Sequence, residues 1–450
     1  MRPGEVIHPK KAQCRLPASG WGLLNLKGGV VTAGKEWTDD GGAYEVHSLK
    51  RRAAKATRLQ EHRTARQVAE FLRPLGFEVT ENVGGTGVVG LLRNGDGPVV
   101  MLRSDLDALP VREDTGLAYA STVRATGADG QEVPVMHACG HDMHITCLLG
   151  AATLLAESAG TWSGTLLAVF QPAEELARGA QDMVDDGLFE RFPVPDVVLG
   201  QHVAPLPAGT IAYGSGPIMA ATDTANVVLH GRGGHGSRPE STIDPVLMAA
   251  HVITRLQGII PREIAASEAA VLTVGRLQAG TKDNIIPDRA ELGINVRSYT
   301  EQTRSLIRSA IERVLHAEAE ASAAPEPPEI EWSSAAPPTV NDPEATARTV
   351  TALTAQFGSR HVVVQPPVTA SEDVGVFGRE CGAPTVFWFL GGLDPDEFTA
   401  AMTQGRPELL PTNHSPYFAP VIEPTLTTGV QALVAAAFAW LTPQNQAARP

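Results

Sequence analysis

Positive charge is scarce in this chain. Its 450 residues carry 36 Lys and Arg against 50 Asp and Glu, a formal net charge of −14. That balance argues against a nucleic-acid binder, which needs a basic patch. It leaves an anionic small substrate open, because a site can be locally positive on an acidic protein. Cysteine is also scarce: four residues in a chain this long, without a spacing pattern, do not make a disulfide scaffold. No apolar run reaches about 18 residues, so no transmembrane helix is expected. The longest, Ala432 to Leu441, is too short. The chain opens Met1-Arg2-Pro3 without an apolar stretch, so no secretory signal and a cytoplasmic location are expected. Charged residues make up only 19% and hydrophobic ones 43%, which speaks against disorder and supplies a core. No internal repeat or long low-complexity tract is present.

The length suggests about three domains, or two with insertions. Residues 1–60 mix Gly, Lys and Arg without periodicity and read as an atypical, poorly ordered segment. A helix pattern begins near Glu61, with Ala65, Val68, Ala69, Phe71 and Leu72 at helical spacing. Apolar strands then alternate with helices, the signature of an α/β sheet. The strand candidates are Val99–Arg103, Thr165–Phe170, Asp196–Gly200 and Thr385–Leu390, with a helix from Ile145 to Glu157.

The middle of the chain changes character. It reads as strand Asn226–His230, a helix capped by Asp244 with Pro245 first, and strand Ala270–Leu277. Ala290, Leu292, Ile294 and Val296 alternate with Glu291, Gly293, Asn295 and Arg297, as in a half-buried strand. A helix over Glu301–Ala321 follows, with Leu306, Ile307, Ile311, Val314 and Leu315 on one stripe, and then strand Glu329–Trp332. The order β-α-β-β-α-β is that of a ferredoxin-like domain. An α/β domain interrupted by a small α+β insert accounts for the pattern.

Ligands of open α/β sheets bind beyond the carboxyl ends of strands. Here those ends run into Asp105 and Asp107, into Glu174 and Glu175, and into His202. Beside them stands Met136-His137-Ala138-Cys139-Gly140-His141-Asp142-Met143-His144. Imidazole and thiolate at this density suit zinc and its first-row neighbours. Cys139 and His141, two apart, do not share a helix face, but Gly140 permits a tight turn that aims both inward. Adjacent Glu174 and Glu175 diverge, so one can hold a metal while the other works on a water, the division that metal-assisted hydrolysis needs.

Six ordered motifs then carry a resemblance: R-S-D-L-D-A-L-P (Arg103–Pro110), M-H-A-C-G-H-D-M-H (Met136–His144), F-Q-P-A-E-E (Phe170–Glu175), G-R-G-G-H-G-S-R-P (Gly231–Pro239), D-N-I-I-P (Asp283–Pro287) and N-H-S-P (Asn413–Pro416). From about Glu61 to Leu441 the chain resembles the N-acyl-amino-acid amidohydrolases of the aminoacylase–carboxypeptidase superfamily, of hippurate hydrolase, indoleacetyl-amino-acid hydrolase and N-acetyl-diaminopimelate deacetylase type. The resemblance implies an α/β/α catalytic domain of the dinuclear-metal peptidase kind, residues 61–217 and 334–450. It implies an inserted ferredoxin-like α+β lid and dimerisation domain, residues 218–333. Cys139 is the implied bridge between two divalent ions (Zn, Mn, Co or Ni), with His141, Glu175, His202 and His414 completing the shells. Glu174 is the implied general base toward the metal-bridging water, and Asp105 the group that orients a ligand imidazole. His235 is implied to stabilise the oxyanion, across a dimer interface, and Asn284 and Arg297 to hold the substrate carboxylate. Glu372 and Asp373 read equally as supporting groups or as a helix cap. The chain departs from the family at Arg51–Leu59, where a Leu-His-x-His-Pro-Glu-type helix is usual.

The expected activity is metal-dependent hydrolysis of N-acyl amino acids to a carboxylic acid and a free amino acid, by a homodimer with no nucleic-acid or membrane partner. A dipeptidase or N-carbamoyl amino acid hydrolase on the same scaffold is the alternative enzyme. A non-catalytic protein that binds metal or acyl-amino acid is the alternative of another class, and the second carboxylate at Glu174 speaks against it.

Overall fold

A computed structural model describes residues 61–127 and 130–443, together with the short segments Cys14–Arg15 and Leu23–Leu24. The remainder of the 1–60 segment, including Arg51–Leu59, lies outside the described residues. The chain divides into two compact units. The first takes residues 1–216, 340–366 and 374–450, and the second 217–339 and 367–373.

The first unit is built on a nine-stranded mixed sheet. Its order is Val362–Val364, Ile211–Tyr213, Thr385–Leu393, Val197–Pro207, Val99–Asp105, Trp162–Gln171, Gly87–Asn94, Glu78–Val83, with Thr442–Pro443 added against the start of Trp162–Gln171. Four central strands are parallel: Thr385–Leu393, Val197–Pro207, Val99–Asp105 and Trp162–Gln171. Their apolar residues, Leu102, Leu166, Leu199 and Phe387 among them, are fully buried. Each such side chain contributes about 1.5–3 kcal/mol relative to exposure. Helix His141–Glu157 connects Val99–Asp105 to its neighbour Trp162–Gln171, and the chain then crosses over to place Val197–Pro207 on the other side. The carboxyl end of Val99–Asp105 is therefore a topological switch point, where open sheets leave a crevice.

Helices His62–Leu72, His141–Glu157, Pro343–Phe357 and Thr425–Trp440 pack on one another and on the sheet. Gly179–Asp185 and Gly375–Cys381 form a second packed pair on it. The result is an α/β/α sandwich. Helix His141–Glu157 is apolar nearly all round and buried from His141 to Leu155, as a helix inside a core must be.

The strands are longer than their apolar runs suggest. Val197–Pro207 extends well past Gly200, which corrects the expectation that His202 follows a strand: it sits within one. Pairing with Val99–Asp105 stops at Gly200↔Arg103, whereas Thr385–Leu393 still pairs with His202 through Phe389. Pro205 and Pro207 disguise this continuation, because proline donates nothing to a ladder and suits a strand whose other side has become an edge.

The second unit holds an antiparallel four-stranded sheet ordered Ala270–Ala279, Arg289–Ser298, Ala221–His230, Glu329–Ala336. Helices Pro245–Leu256 and Glu301–Ala321 cover one face, giving the order β-α-β-β-α-β. Asp244 caps the first through its carboxylate, 2.8 Å from the Val246 N–H. Ala290, Leu292, Ile294 and Val296 are fully buried beneath the helices, and Glu291, Gly293, Asn295 and Arg297 line the opposite face. Leu306 is 52% exposed, so the helix stripe is Ile307, Ala310, Ile311, Val314 and Leu315 instead. Arg304 comes inward and grips buried Asp223 with two nitrogens at 2.7 and 2.8 Å. Among the described residues no helix is long and apolar enough to cross a membrane.

Candidate active site

Five chain segments of the first unit deliver polar groups to the carboxyl edge of its central strands. Asp105 ends Val99–Asp105. Gly140, in the left-handed conformation at φ 82°, turns the chain from Cys139 directly into the helix that starts at His141. This helix begins four residues earlier than its apolar pattern suggests, so His141 and His144 both ride on its first turn. After Trp162–Gln171 a short 3-10 turn carries Glu174 and Glu175 between Ala173 and Ala177, both left-handed. Val197–Pro207 contributes His202. A loop contributes Asn413 and His414, whose φ is 70°. Left-handed non-glycine residues each cost about 1–3 kcal/mol and collect at functional sites. His414 is held in that conformation by its N–H, which donates to the Ala138 carbonyl at 2.8 Å.

The hydrogen bonds decide which histidine nitrogen is available. His141 directs Nδ1 at the Asp107 carbonyl (3.0 Å) and carboxylate (3.2 Å), both acceptors, so Nδ1 carries the proton. Among the described residues its buried Nε2 has no hydrogen-bond partner. It faces Asp105 at 3.8 Å, Glu174 at 3.7 Å and Glu175 at 3.8 Å. His202 donates Nδ1–H to the Val203 carbonyl at 2.8 Å, leaving Nε2 3.5 Å from the Cys139 sulfur. His414 Nε2 lies 3.1 Å from Glu175 Oε1. His144 is the opposite case. Its Nε2 accepts the Val203 N–H at 2.8 Å, and Nδ1 therefore donates to Asp105 at 2.7 Å.

The electrostatics are those of a site made for cations. Burial raises the Asp105 carboxyl, but His141, His144 and Arg103, whose Nη1 is 3.0 Å away, outweigh it and hold it well below the usual range. Burial and the nearby Glu175 raise the Cys139 thiol. Burial lowers His141, yet Asp105, Asp107 and Cys139 together keep it well above its ordinary value. Burial lowers His202. The neighbouring Cys139 and Glu175 raise His414 to about 10.

Within the first unit, ligand-capable atoms fall into three overlapping groups: Asp105, His141, His144 and His202; Cys139, Glu175 and His414; His141, Glu174 and Glu175. His144 has no free lone pair to offer the first group. The rest is a mixed thiolate, imidazole and carboxylate donor set for divalent first-row ions, with orphaned His141 Nε2 at its centre. The resemblance-derived residues Cys139, His141, Glu174, Glu175, His202, His414 and Asp105 are thus brought together. Sequence reasoning left His144, Asp107 and Asn413 without roles. Asp107 also accepts the Glu175 N–H at 3.0 Å, and Asn413 donates to the Cys139 and Val203 carbonyls at 3.2 and 3.1 Å. The signal for His144 was its position three after His141, one helical turn on.

His235, Asn284 and Arg297 belong to the second unit. His235 is exposed, pairs in a two-residue strand with Ile285, and its Nδ1 accepts the Ser237 N–H at 3.1 Å. The Gly236 N–H donates to the Asn284 carbonyl at 2.9 Å, so His235 and Asn284 share one loop cluster. Arg297 stands at the far end of Arg289–Ser298, opposite Thr222 and Val271. The eight steps from Arg289 to Arg297 span roughly 27 Å, so one copy does not bring Asn284 and Arg297 together. Glu372 and Asp373 also fall in this unit, both buried.

The profile of peptidase family M20/M25/M40 matches residues 101–437. Thermostable carboxypeptidase 1 of Saccharolobus solfataricus is 38% identical over 338 residues, 74% of this chain and 81% of that protein. The hippurate hydrolase of Campylobacter jejuni is 39% identical over 317 residues, 70% of this chain and 79% of that protein. A solved Bacillus subtilis structure, described as a dinuclear metal-binding peptidase from the M20 family, is 28% identical. It superposes with a TM-score of 0.68 over 87% of this chain and 95% of its own. With the donor set above, these matches establish that the chain belongs to peptidase family M20/M25/M40, as one of its metal-dependent amidohydrolases.

Proposed function

We propose that the protein hydrolyses the amide bond of N-acyl amino acids, releasing a carboxylic acid and a free amino acid. The observation that carries this reading is the buried, unpartnered His141 Nε2 facing two adjacent glutamates, beside Cys139, His202 and His414. Cys139, His141, Glu175, His202 and His414 are the residues that would hold two divalent ions, zinc, manganese, cobalt or nickel. Ions so held supply Lewis-acid polarisation and bring the pKa of water toward neutrality.

The two glutamates divide the work. Glu175 keeps company with ligand residues on both sides, His141 and Cys139 with His414, and its N–H is tied to Asp107. Glu174 is the base. It accepts a proton from the water whose oxygen bonds to the amide carbon, and returns that proton to the amine nitrogen as the C–N bond breaks. Asp107 orients the His141 imidazole through Nδ1, and Asp105, set by His144 and Arg103, faces the Nε2 side of that ring instead of orienting it as expected. His235 stabilises the oxyanion and Arg297 takes the substrate carboxylate, with Asn284 as its partner in that contact.

The separation of Asn284 from Arg297 along the sheet favours a homodimer in which one copy supplies the His235–Asn284 loops to the other's site. The edge strand Ala270–Ala279, with Val271 and Leu277 exposed, and exposed Val246, Leu247 and Ile285 support this assembly. A cytoplasmic location accords with the free thiols of Cys139, Cys147 and Cys381.

The carboxypeptidase relative favours a second reading, cleavage of unblocked dipeptides. The test is a panel of acetyl, benzoyl and indoleacetyl amino acids with unblocked dipeptides as controls, with and without chelator. Chelator-sensitive release of amino acid from the acylated compounds supports the proposal. Cleavage confined to dipeptides replaces it with the second reading.

A further inference from the structure

Arg297 is a half-buried cation whose contacts among the described residues include no counterion. Among the described residues no carboxylate pairs with its guanidinium, and burial lowers its pKa. Its contacts are neutral oxygens. Nε donates to Asn295 Oδ1 at 3.1 Å, and Nη1 donates to the Ser371 hydroxyl. Leaving such a charge unpaired is costly unless an anion completes it.

Asn295 is itself held. It lies two residues before Arg297 on the same strand, hence on the same face of the sheet. Its Nδ2 reaches Thr222 Oγ1 at 3.2 Å, Thr224 Oγ1 at 3.1 Å and the Asp223 carbonyl at 3.4 Å. Thr222 and Thr224 are the residues paired across the strand with Arg297 and Asn295. With its amino group engaged by three acceptors, the carboxamide cannot turn over, and its oxygen stays toward Nε. Ser371 arrives from a different segment and fixes the other end of the guanidinium.

We infer that Asn295 and Ser371 are positioning residues that hold Arg297 as a preformed fork, and that they thereby set the preference for substrates with a free α-carboxylate. Two of the five guanidinium N–H bonds are spent on the brackets. Three remain, enough for a two-pronged grip on a carboxylate. Because both brackets are uncharged, they orient the cation without neutralising it. The inference rests on the reading of Arg297 as the carboxylate anchor.

The experiment uses the metal-loaded protein, the N-acyl amino acid it turns over best, and the α-carboxamide of that compound as substrate or competing ligand. Asn295→Ala and Ser371→Ala are expected to raise KM for the acid by roughly 5–20-fold. Their kcat is expected to stay within about twofold, and the carboxamide to bind as it does to the unmodified protein. Asn295→Asp supplies the missing counterion and is expected to raise KM for the acid further than Asn295→Ala. Equal losses for acid and carboxamide in all three variants mean a merely structural role and overturn the inference. It is equally overturned if Arg297→Ala weakens the acid selectively while Asn295→Ala and Ser371→Ala do not. If Arg297→Ala leaves the ratio of acid to carboxamide unchanged, the anchor reading itself fails.

Discussion

His144 gives its Nδ1 proton to Asp105 across 2.7 Å while its Nε2 accepts the backbone N–H of Val203 at 2.8 Å. Both edges of the ring are therefore occupied, and a histidine that stands among metal-ligating groups acts as a strut. Asp105 in turn faces His141 Nε2, so the strut sets the field at the centre of the site.

His144→Ala is expected to weaken metal affinity by roughly 10–100-fold, as loss of a supporting hydrogen bond does, while two ions still bind at saturating metal. Competition against a chelating dye measures the affinity, and elemental analysis the stoichiometry. Loss of one ion outright at saturation would make His144 a ligand.

Gly140 stands at φ 82° between Cys139 and His141, and a Cβ there would overlap the Val203 side chain. Gly140→Ala is expected to cost at least about 1–3 kcal/mol from backbone strain alone. It should also shift both flanking ligand candidates, so metal content and Tm fall together. An unchanged metal content in a folded variant would contradict the assignment of this turn.

Proton release on metal uptake follows from the raised groups. With His414 raised to about 10 and Cys139 and His141 also raised, these groups hold protons at pH 7 that a metal must displace. Metal affinity is expected to increase with pH, and the His414 share of the release to vanish above pH 10. Calorimetry in buffers of different ionisation enthalpy measures the release, and His414→Ala should lower it by about one proton at pH 7. For the metal-free fold the sign is separate. A folded pKa above the ordinary histidine value stabilises below pH 6.5, and that stabilisation is lost as pH rises through about 10.

Much of this was legible in the residues. The period-two alternation from Ala290 to Val296, the Asp244-Pro245 start and the turn at Gly140 are local signals, and each appears in the structure. What escaped depends on partners distant in the chain. His202 lies in a strand because Phe389 pairs with it, nearly two hundred residues away. His144 is a strut because the Val203 N–H reaches it, and no spacing within Met136–His144 encodes that bond. Leu306 misses the core by one position in the helical period, which composition alone does not register. The separation of Asn284 from Arg297 follows from strand register, which the motifs that hold the two residues do not encode.

Catalysis here depends on the division of labour between the adjacent glutamates, which the Glu174→Gln variant probes. Turnover of an N-acyl amino acid and metal stoichiometry are measured on the same preparation. A fall in kcat of roughly 10²–10⁴-fold, the usual worth of a positioned base, is expected with two ions retained. Loss of an ion from Glu174→Gln, or turnover that persists at the unmodified rate, would contradict it.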